Sequence, residues 1–341
     1  MNNKKTVLLT GCAGFSGSHF LDHILETTDW NIVGIASWKH KGLPERITDS
    51  ETYQKNKDRV TIVTHDLESP FTEITKKRLG HIDYVINVAS MSEVEDSIVN
   101  PVPFVQNNVN LMLNMLELAR EIKPEVFIQI STDETSGPML NNEPHKEWSA
   151  TIPSNPYAAS KAAQEAIAIS YWRTYGVPVI ITNTMNLIQT RQNPVKFLPK
   201  TIKYVLEGKT MPIYAAEDGS LGSRFYIDAR NQADAVLYII KNVIPASFEK
   251  GDMVPDRFNI VGEKQLNNLE FAQLVAGIIG KELKYEMISF YSQSQRPGHD
   301  LHYGLSGEKM KGIGWKYPVS LEESLRSIVN WYISNPEWLE I

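Results

Sequence analysis

Two short motifs carry side chains that can exchange protons with a substrate. Tyr157 and Lys161 are four residues apart, a spacing that places both side chains on one face of a helix. A lysine ammonium next to a phenol favours the phenolate, so this pair predicts a base that works near neutral pH. A run of Thr132, Asp133 and Glu134 follows the apolar stretch VFIQI at 126–130. Taken alone, its two carboxylates are explained equally well by capping of the next segment and by catalysis.

A glycine-rich loop stands directly after the first apolar run, TVLLT at 6–10. The loop reads GCAGFSG, and a helical pattern follows it at once. Glycines at these places let the backbone turn tightly and approach a pyrophosphate, whose charge is stabilised at the helix N-terminus. The loop therefore predicts a dinucleotide site, with an ordinary turn as the alternative. The predicted cofactor contacts in it are Gly11, Gly14, Phe15, Ser16 and Gly17.

The end of the second predicted strand bears on the choice of cofactor. A carboxylate there normally holds the adenosine ribose, but this stretch, IASWKHK at 35–41, has no carboxylate and two lysines. Small, hydroxylated and basic side chains suit a 2′-phosphate, so we predict NADP in preference to NAD, with a solvated basic turn as the alternative. Asp66 is placed to reach an adenine amino group, or equally to cap a turn. The predicted contacts in this half of the cofactor site are Ser37, Lys39, Asp66, Leu67 and Ala89.

The elements that must position these residues alternate along the first half of the chain. Short β-rich apolar runs lie at 6–10, 32–35, 60–63, 84–88, 126–130 and 179–182, and helical patterns lie at 18–26, 102–121 and 157–175. The alternation predicts an α/β fold, a Rossmann-like doubly wound parallel sheet with a smaller C-terminal α/β substrate-binding domain. A helix at 228–241 and a strand at 257–261 are expected beyond it. We expect the dinucleotide-binding domain to cover 1–185 plus 224–258, and the second domain 186–223 plus 259–341.

Composition narrows the class of protein. The 341 residues include 34 Lys and Arg against 40 Asp and Glu, which gives a net charge of −6, so the clustered positive charge that nucleic acid needs is missing. No apolar run reaches membrane-spanning length, and the eight histidines lack metal-ligand spacing. The single cysteine, Cys12, excludes an intrachain disulfide and is predicted to be a packed small residue. We therefore expect a cytoplasmic protein with a small-molecule substrate, no metal, no nucleic acid and no membrane partner.

Taken together, these motifs resemble those of the extended short-chain dehydrogenase/reductase superfamily. Within it the chain is most similar to the nucleotide-sugar 4,6-dehydratases, above all those that act on dTDP-glucose. The resemblance runs almost from end to end of the chain. Its most diagnostic pieces are TDE at 132–134 and RPGHD at 296–300. Further support comes from the longer stretches around them, ISTDETSGP at 130–138 and RPGHDLHYGLSGEKMKGIGWK at 296–316, and from NVASMSEVEDSI at 87–98 and PSNPYAASKAAQE at 153–165.

The resemblance implies conversion of an NDP-hexose to the NDP-4-keto-6-deoxyhexose. The three steps are oxidation at C4, loss of water across C5 and C6, and return of the hydride to C6. Tyr157 would take the C4 hydroxyl proton, while Lys161 holds Tyr157 ionised and binds the nicotinamide ribose. Glu134 would remove the C5 proton, Asp133 would protonate the departing C6 hydroxyl, and Thr132 would hydrogen-bond the C4 oxygen. Such roles call for carboxyl pKa values that are pushed apart.

The same resemblance implies a substrate site and a homodimer. The helices at 102–121 and 157–175 match those of a four-helix dimer interface, although their apolar faces could equally be covered within one chain. The implied substrate contacts are Ser92, Glu93, Asn186, Lys196, Arg224, Asn259, Arg296, His299 and Tyr303.

Three departures from the family pattern bear on specificity, while the residues of the reaction itself are intact. The strand-two carboxylate is missing, NLIQT stands at 186–190 after the sixth strand, and TSG at 135–137 follows the catalytic triplet. They bear on which nucleobase and which sugar the substrate contains, and on the choice between NAD and NADP. One alternative is another nucleotide-sugar enzyme of the superfamily, a 4-epimerase or a 5,6-dehydratase. The other is a non-catalytic dinucleotide-sensing protein, although a sensor has no need of Thr132, Tyr157 and Lys161.

Overall fold

The computed structural model describes residues 4–139, 143–289 and 300–340. Strands in this part of the chain are β1 (Thr6–Thr10), β2 (Asn31–Ala36), β3 (Val60–Thr64), β4 (Tyr84–Asn87), β5 (Val126–Thr132), β6 (Val179–Thr184), β7 (Asn186–Ile188), β8 (Met211–Ala215), β9 (Ser223–Asp228), β10 (Asp256–Ile260), β11 (Gln265–Asn267) and β12 (Tyr285–Ser289). Helices are α1 (Phe15–Thr27), α2 (Glu45–Thr48), α3 (Glu51–Asn56), α4 (Glu73–Leu79), α5 (Val94–Val99), α6 (Pro101–Ile122), α7 (Pro156–Tyr175), α8 (Phe197–Glu207), α9 (Ala229–Asn242), α10 (Asn268–Ile279), α11 (Glu308–Gly312) and α12 (Leu321–Ser334).

A seven-stranded parallel sheet in the order β3-β2-β1-β4-β5-β6-β10 forms the centre of the larger part. The strand order reverses at β1, which has β2 on one side and β4 on the other. In such sheets the ligand crevice lies beyond the carboxyl ends of the strands at this reversal. Thr10, Asn87 and Thr132, the last residues of β1, β4 and β5, therefore end at the same edge.

Helices cover both faces of the sheet because successive residues along a strand point to opposite sides. Val7 and Leu9 of β1 belong to the core that includes side chains of α1 and α9. Leu8, between them, belongs to the core formed with α6 and α7. All residues of β5 and β6 are buried, as expected for central strands of a doubly wound sheet. The predicted Rossmann-like α/β fold is thus confirmed.

A smaller part is built around two further sheets. β7, β9 and β11 form a three-stranded sheet, and β8 pairs with β12 in parallel. Side chains of α8, α10 and α12 meet in a third core, in which Phe271, Ile328 and Tyr332 are fully buried.

The segment 224–258, assigned to the dinucleotide-binding domain, is divided between the two parts. α9 packs against α1, and β10 pairs with β6 in the large sheet. β9 instead pairs with β7 and β11, because its backbone partners come from 186–188 and 265–267. β9 therefore lies outside the large sheet, and the domain boundaries stay a prediction.

Candidate active site

The acidic triplet lies where β5 ends. Thr132 is the last residue of β5, and Asp133–Ser136 form a single 3-10 turn. The Thr132 hydroxyl donates to Asp133 Oδ1 at 2.9 Å and accepts the Glu134 backbone N–H at 3.4 Å. This turn needs Gly137 after it, since φ there is +73° and a Cβ would lie 2.2 Å from the Ile152 carbonyl oxygen.

Helix α7 brings Tyr157 to the same place. Asn155 caps the helix by accepting the Ala158 backbone N–H at 2.9 Å, and its amide donates to Glu134 Oε2 at 2.9 Å. The Thr132 side chain acts to lower the pKa of the Tyr157 phenol, and the Tyr157 ring stands edge-on to Phe104 with centroids 6.2 Å apart. One cap residue therefore ties the acidic turn to the helix that carries the tyrosine.

The two carboxyl groups hold protons more tightly than ordinary carboxyls. Burial raises the pKa of Asp133 to about 6. Burial, and then the neighbouring Asp133 charge, raise the pKa of Glu134 to about 7. Both pKa values are raised because burial acts on both groups, and their expected separation stays a prediction. The pair therefore retains a proton close to neutral pH.

Tyr157 also differs from expectation. Burial, followed by the Glu134 charge, raises the pKa of its phenol above the ordinary range, which outweighs the opposite effect of the Thr132 side chain. The unliganded phenol is thus protonated at neutral pH rather than a ready phenolate. Lys161, four residues on, is buried, and burial lowers the pKa of its ammonium to about 8. Its Nζ donates to the Ile130 carbonyl and to Gln164 Oε1, each at 2.7 Å.

The glycine loop has the geometry of an anion site. Gly14 caps α1 without a side-chain hydrogen bond, and the first turn of this 13-residue helix carries no acidic residue. Its backbone N–H groups therefore remain for a ligand phosphate. A Cβ at Gly17 would lie 2.1 Å from the Gly11 carbonyl oxygen, so only glycine fits. Ser16 donates to Gln232 at 2.9 Å, and Phe15 stacks edge-on against His19.

Lys39 and Asp66 form an ion pair with each other at the ends of β2 and β3. The predicted phosphate contact and the predicted adenine contact are thus partners in the unliganded protein. Ser37 accepts the Lys39 backbone N–H at 3.4 Å. Leu67 is buried, and the Ala89 backbone N–H donates to the Thr10 hydroxyl at 3.0 Å. Cys12 is fully buried, and this burial raises the pKa of its thiol to about 12, as expected of a packed residue.

Glu93 pairs with two lysines that are far apart in the sequence. Its carboxylate lies 3.2 Å from Lys41 Nζ and 2.9 Å from Lys196 Nζ. Lys196 is the N-cap residue of α8. Burial opposes the charge of Glu93, but the two lysines together hold its pKa below the usual range. Ser92 and Asn186 are exposed.

Arg224 and Tyr303 lie together beside the acidic turn. The guanidinium stands 4.5 Å from the Tyr303 ring centroid and donates to the Asp300 carbonyl at 2.7 Å. Burial, then the Glu134 charge, raise the pKa of the Tyr303 phenol, and Arg224 lowers the pKa of Glu134. Asn259 does not join them, because its buried amide donates to the His145 carbonyl at 3.1 Å. Arg296 and His299 lie outside the described residues.

Sequence reasoning missed several residues that hold this site. Asn183 donates to the Thr132 carbonyl at 2.9 Å and to Glu165 at 2.7 Å. Glu165 also pairs with the buried Arg257 at 2.8 Å. Asn155 could have been found, since Asn before Pro at a helix start is a capping signal. The others are single polar residues within apolar runs and gave no such signal.

Within 4–139, 143–289 and 300–340, no group of three or more potential metal ligands occurs. In the same ranges, no helix combines the length and apolarity that crossing a membrane requires.

The doubly wound sheet, the glycine loop at its reversal point and the Thr132, Tyr157 and Lys161 constellation define an extended short-chain dehydrogenase/reductase. The GDP-mannose 4,6 dehydratase family model matches residues 8–328. The chain belongs to this family of nucleotide-sugar dehydratases and related enzymes.

Relatives and solved structures agree with this assignment. The chain is 30% identical to dTDP-glucose 4,6-dehydratase 1 of Escherichia coli K12, over 98% of this chain and 94% of that one. It is also 30% identical to the low-salt glycan biosynthesis protein Agl12 of Haloferax volcanii, over 97% and 99% of the two chains. The structure of the dTDP-glucose 4,6-dehydratase DesIV of Streptomyces venezuelae, solved with NAD bound, matches with a TM-score of 0.83 at 26% identity, covering 98% and 99%.

Proposed function

We propose that the protein is a nucleotide-sugar 4,6-dehydratase that converts an NDP-hexose to the NDP-4-keto-6-deoxyhexose. The observation that carries the proposal is the buried carboxyl pair, Asp133 and Glu134, next to the tyrosine that would oxidise C4. Elimination of water needs one carboxyl that gives a proton and one that takes a proton. A pair whose pKa values are about 6 and about 7 can supply both forms near neutral pH. A simple 4-epimerase needs neither group.

The proposed roles follow from the contacts at each side chain. Glu134 removes the C5 proton, and its Oε2 is held toward α7 by Asn155. Asp133 protonates the departing C6 hydroxyl. Among the described residues its buried Oδ2 has no hydrogen-bond partner, so this oxygen is available to a substrate hydroxyl. Thr132 hydrogen-bonds the C4 oxygen together with Tyr157, and its side chain acts to lower the pKa of the Tyr157 phenol.

Tyr157 takes the C4 hydroxyl proton, and this role requires its pKa to fall from the raised value of the unliganded protein. The Lys161 ammonium supplies the positive charge for that change. The chemistry that a bound nicotinamide dinucleotide would supply is acceptance of the hydride from C4 and its later return to C6. The glycine loop with its uncapped helix N-terminus fits the pyrophosphate of such a cofactor.

We favour NADP as that cofactor. Lys39 is the basic side chain at the end of β2, and it would leave Asp66 to pair with a 2′-phosphate. The solved relative DesIV carries NAD, so identification of the cofactor released on denaturation tests this choice. Lys39→Ala should weaken NADP binding at least several-fold and leave NAD binding nearly unchanged. Equal weakening of both would contradict a 2′-phosphate contact.

The substrate diphosphate is proposed to bind between Lys196 and Arg224. Both cations act on Glu134 electrostatically, which places them near the acidic turn. Ser92, Glu93, Asn186 and Tyr303 are proposed to line the rest of this site. Lys196 would move from Glu93 to a phosphate, while Lys41 remains as the partner of Glu93.

A turnover screen of dTDP-, UDP-, CDP- and GDP-hexoses tests the proposed function. We expect a product with the absorbance that 4-keto-6-deoxy sugars develop in base. Formation of a C4 epimer, or of a 5,6-unsaturated product, would assign the protein to another reaction of the superfamily. Tight cofactor binding without turnover of any nucleotide sugar would favour the sensing protein.

A further inference from the structure

A chain of buried hydrogen bonds crosses the large sheet beneath the active site. The Thr10 hydroxyl donates to Asn87 Oδ1 at 2.8 Å, and Asn87 Nδ2 donates to Gln129 Oε1 at 2.7 Å. Gln129 Nε2 donates to Gln164 Oε1 at 3.1 Å, the same oxygen that accepts from Lys161. These hydrogen bonds thus link β1, β4, β5 and α7 in that order.

Gln129 contacts both acceptors of the lysine. Lys161 Nζ donates to the Ile130 carbonyl and to Gln164 Oε1. The Gln129 amide donates to the Ile130 carbonyl at 2.9 Å as well as to Gln164. Gln164 is held from its other end, since its Nε2 donates to the Asn108 carbonyl at 2.7 Å. Two of the three N–H donors of the lysine are therefore directed by groups that cannot turn freely.

The other end of this chain of hydrogen bonds lies next to the glycine loop. Thr10 immediately precedes Gly11, and its hydroxyl accepts the backbone N–H groups of Val88 and Ala89, each at 3.0 Å. The side chains of Thr10, Asn87, Gln129 and Gln164 are all 0% exposed. Burial of three neutral amides costs free energy that apolar side chains would avoid, so packing alone does not account for them.

We propose that Gln164 and Gln129 are positioning residues for Lys161, which hold its ammonium at the place where it serves Tyr157 and the nicotinamide ribose. This inference rests on the proposed function only for the role of Lys161. It adds that neutral amides fix the position of the lysine ammonium, and that the hydrogen bonds of these amides begin next to the glycine loop.

The titratable groups on the elements that hold Lys161 are Tyr157 and Glu165, four residues to either side of it on α7, and Asp133 and Glu134 in the turn after β5. Glu165 acts to raise the pKa of Lys161, but its carboxylate is shared with Arg257 of β10 and with Asn183 of β6. At these contacts β4 presents the side-chain amide of Asn87, and α6 presents the backbone carbonyl of Asn108.

The test replaces the amides and follows the pH dependence of turnover. Gln164→Met removes one acceptor of Lys161, so the ammonium is less well placed to stabilise the Tyr157 phenolate. We expect the acid limb of the kcat profile to move up by about one pH unit, with kcat lowered about tenfold and the Kd for NADH or NADPH raised several-fold. Gln129→Met leaves Gln164 in place, so its shift should be smaller and in the same direction.

Gln192→Met is the matched control. This glutamine is also buried, and its amide donates to the Leu187 carbonyl at 3.0 Å, away from Lys161. It should lose stability in thermal unfolding, with an unchanged pH profile and dinucleotide affinity. Unchanged profiles and affinities in Gln164→Met would overturn the inference. If Gln164→Met fails to fold, Gln129→Met is judged by the same two readouts.

The dinucleotide titration separates this inference from the proposed function. If the unmodified protein turns over no nucleotide sugar, the proposed function fails, and the dinucleotide titration alone tests the positioning role. Weaker dinucleotide binding in Gln164→Met than in Gln192→Met would still support the positioning role. Equal binding would end it.

Discussion

Glu134 is the residue on which the proposed elimination depends most directly. Glu134→Gln keeps the shape of the side chain and an oxygen for the Asn155 amide, but it removes the base. We expect dehydration to fall by roughly 10²–10⁴-fold, the range typical of a lost general base. Cofactor binding, followed by dinucleotide fluorescence, should remain unchanged. Full dehydratase turnover in this variant would remove Glu134 from its proposed role.

Asp133 should show the stability cost of a buried carboxyl group. Its folded-state pKa is raised to about 6, so the native state binds more protons than the unfolded state between pH 4 and pH 6, and stability falls as pH rises through this window. Asp133→Asn removes that loss. We expect its free energy of unfolding at pH 8 to exceed that of the unmodified protein by about 3 kcal/mol, with the difference shrinking toward pH 4. Denaturant unfolding of both proteins at pH 4 and at pH 8 measures this difference in stability. The difference would be the same at both pH values if the pKa of Asp133 were not shifted.

At the scale of elements, the start of α7 sets the geometry of the site. Asn155→Ala removes the helix cap and the donor to Glu134 together. We expect about 1 kcal/mol of lost stability and a higher Glu134 pKa, which moves the acid limb of the dehydration profile upward. Ser320→Ala, which removes the cap of α12, is the control. It should lose similar stability with no change in the profile; an identical shift in both variants would argue against a local effect.

The elements, and the places of the main candidate residues on them, could be predicted because each has a local signal. β1 occupies 6–10 as expected, and the spacing of Tyr157 and Lys161 placed both on α7. The protonation states could not be predicted, because they depend on how deeply the fold buries Asp133, Glu134 and Tyr157. Gln129 and Gln164 were missed for a related reason: a polar residue within an apolar strand or helix reveals its partner only in three dimensions.

At the scale of the whole molecule, we propose a homodimer formed through α6 and α7. Val102, Leu113 and Tyr175 are exposed apolar side chains on these helices. Light scattering should give twice the mass of one chain, and Leu113→Glu should shift the equilibrium toward monomers by placing charge in the interface. A monomer at micromolar concentration without any substitution would contradict this assembly.

The fate of the hydrogen at C4 tests the central claim most directly. The nucleotide sugar that the screen identifies would be prepared with deuterium at C4 and converted in ordinary water. The proposed reaction predicts a product that has lost one water and carries the deuterium in its C6 methyl group, because the hydride returns to C6. A product that keeps the deuterium at C4, with inverted configuration and no loss of water, would contradict a 4,6-dehydratase and identify a 4-epimerase.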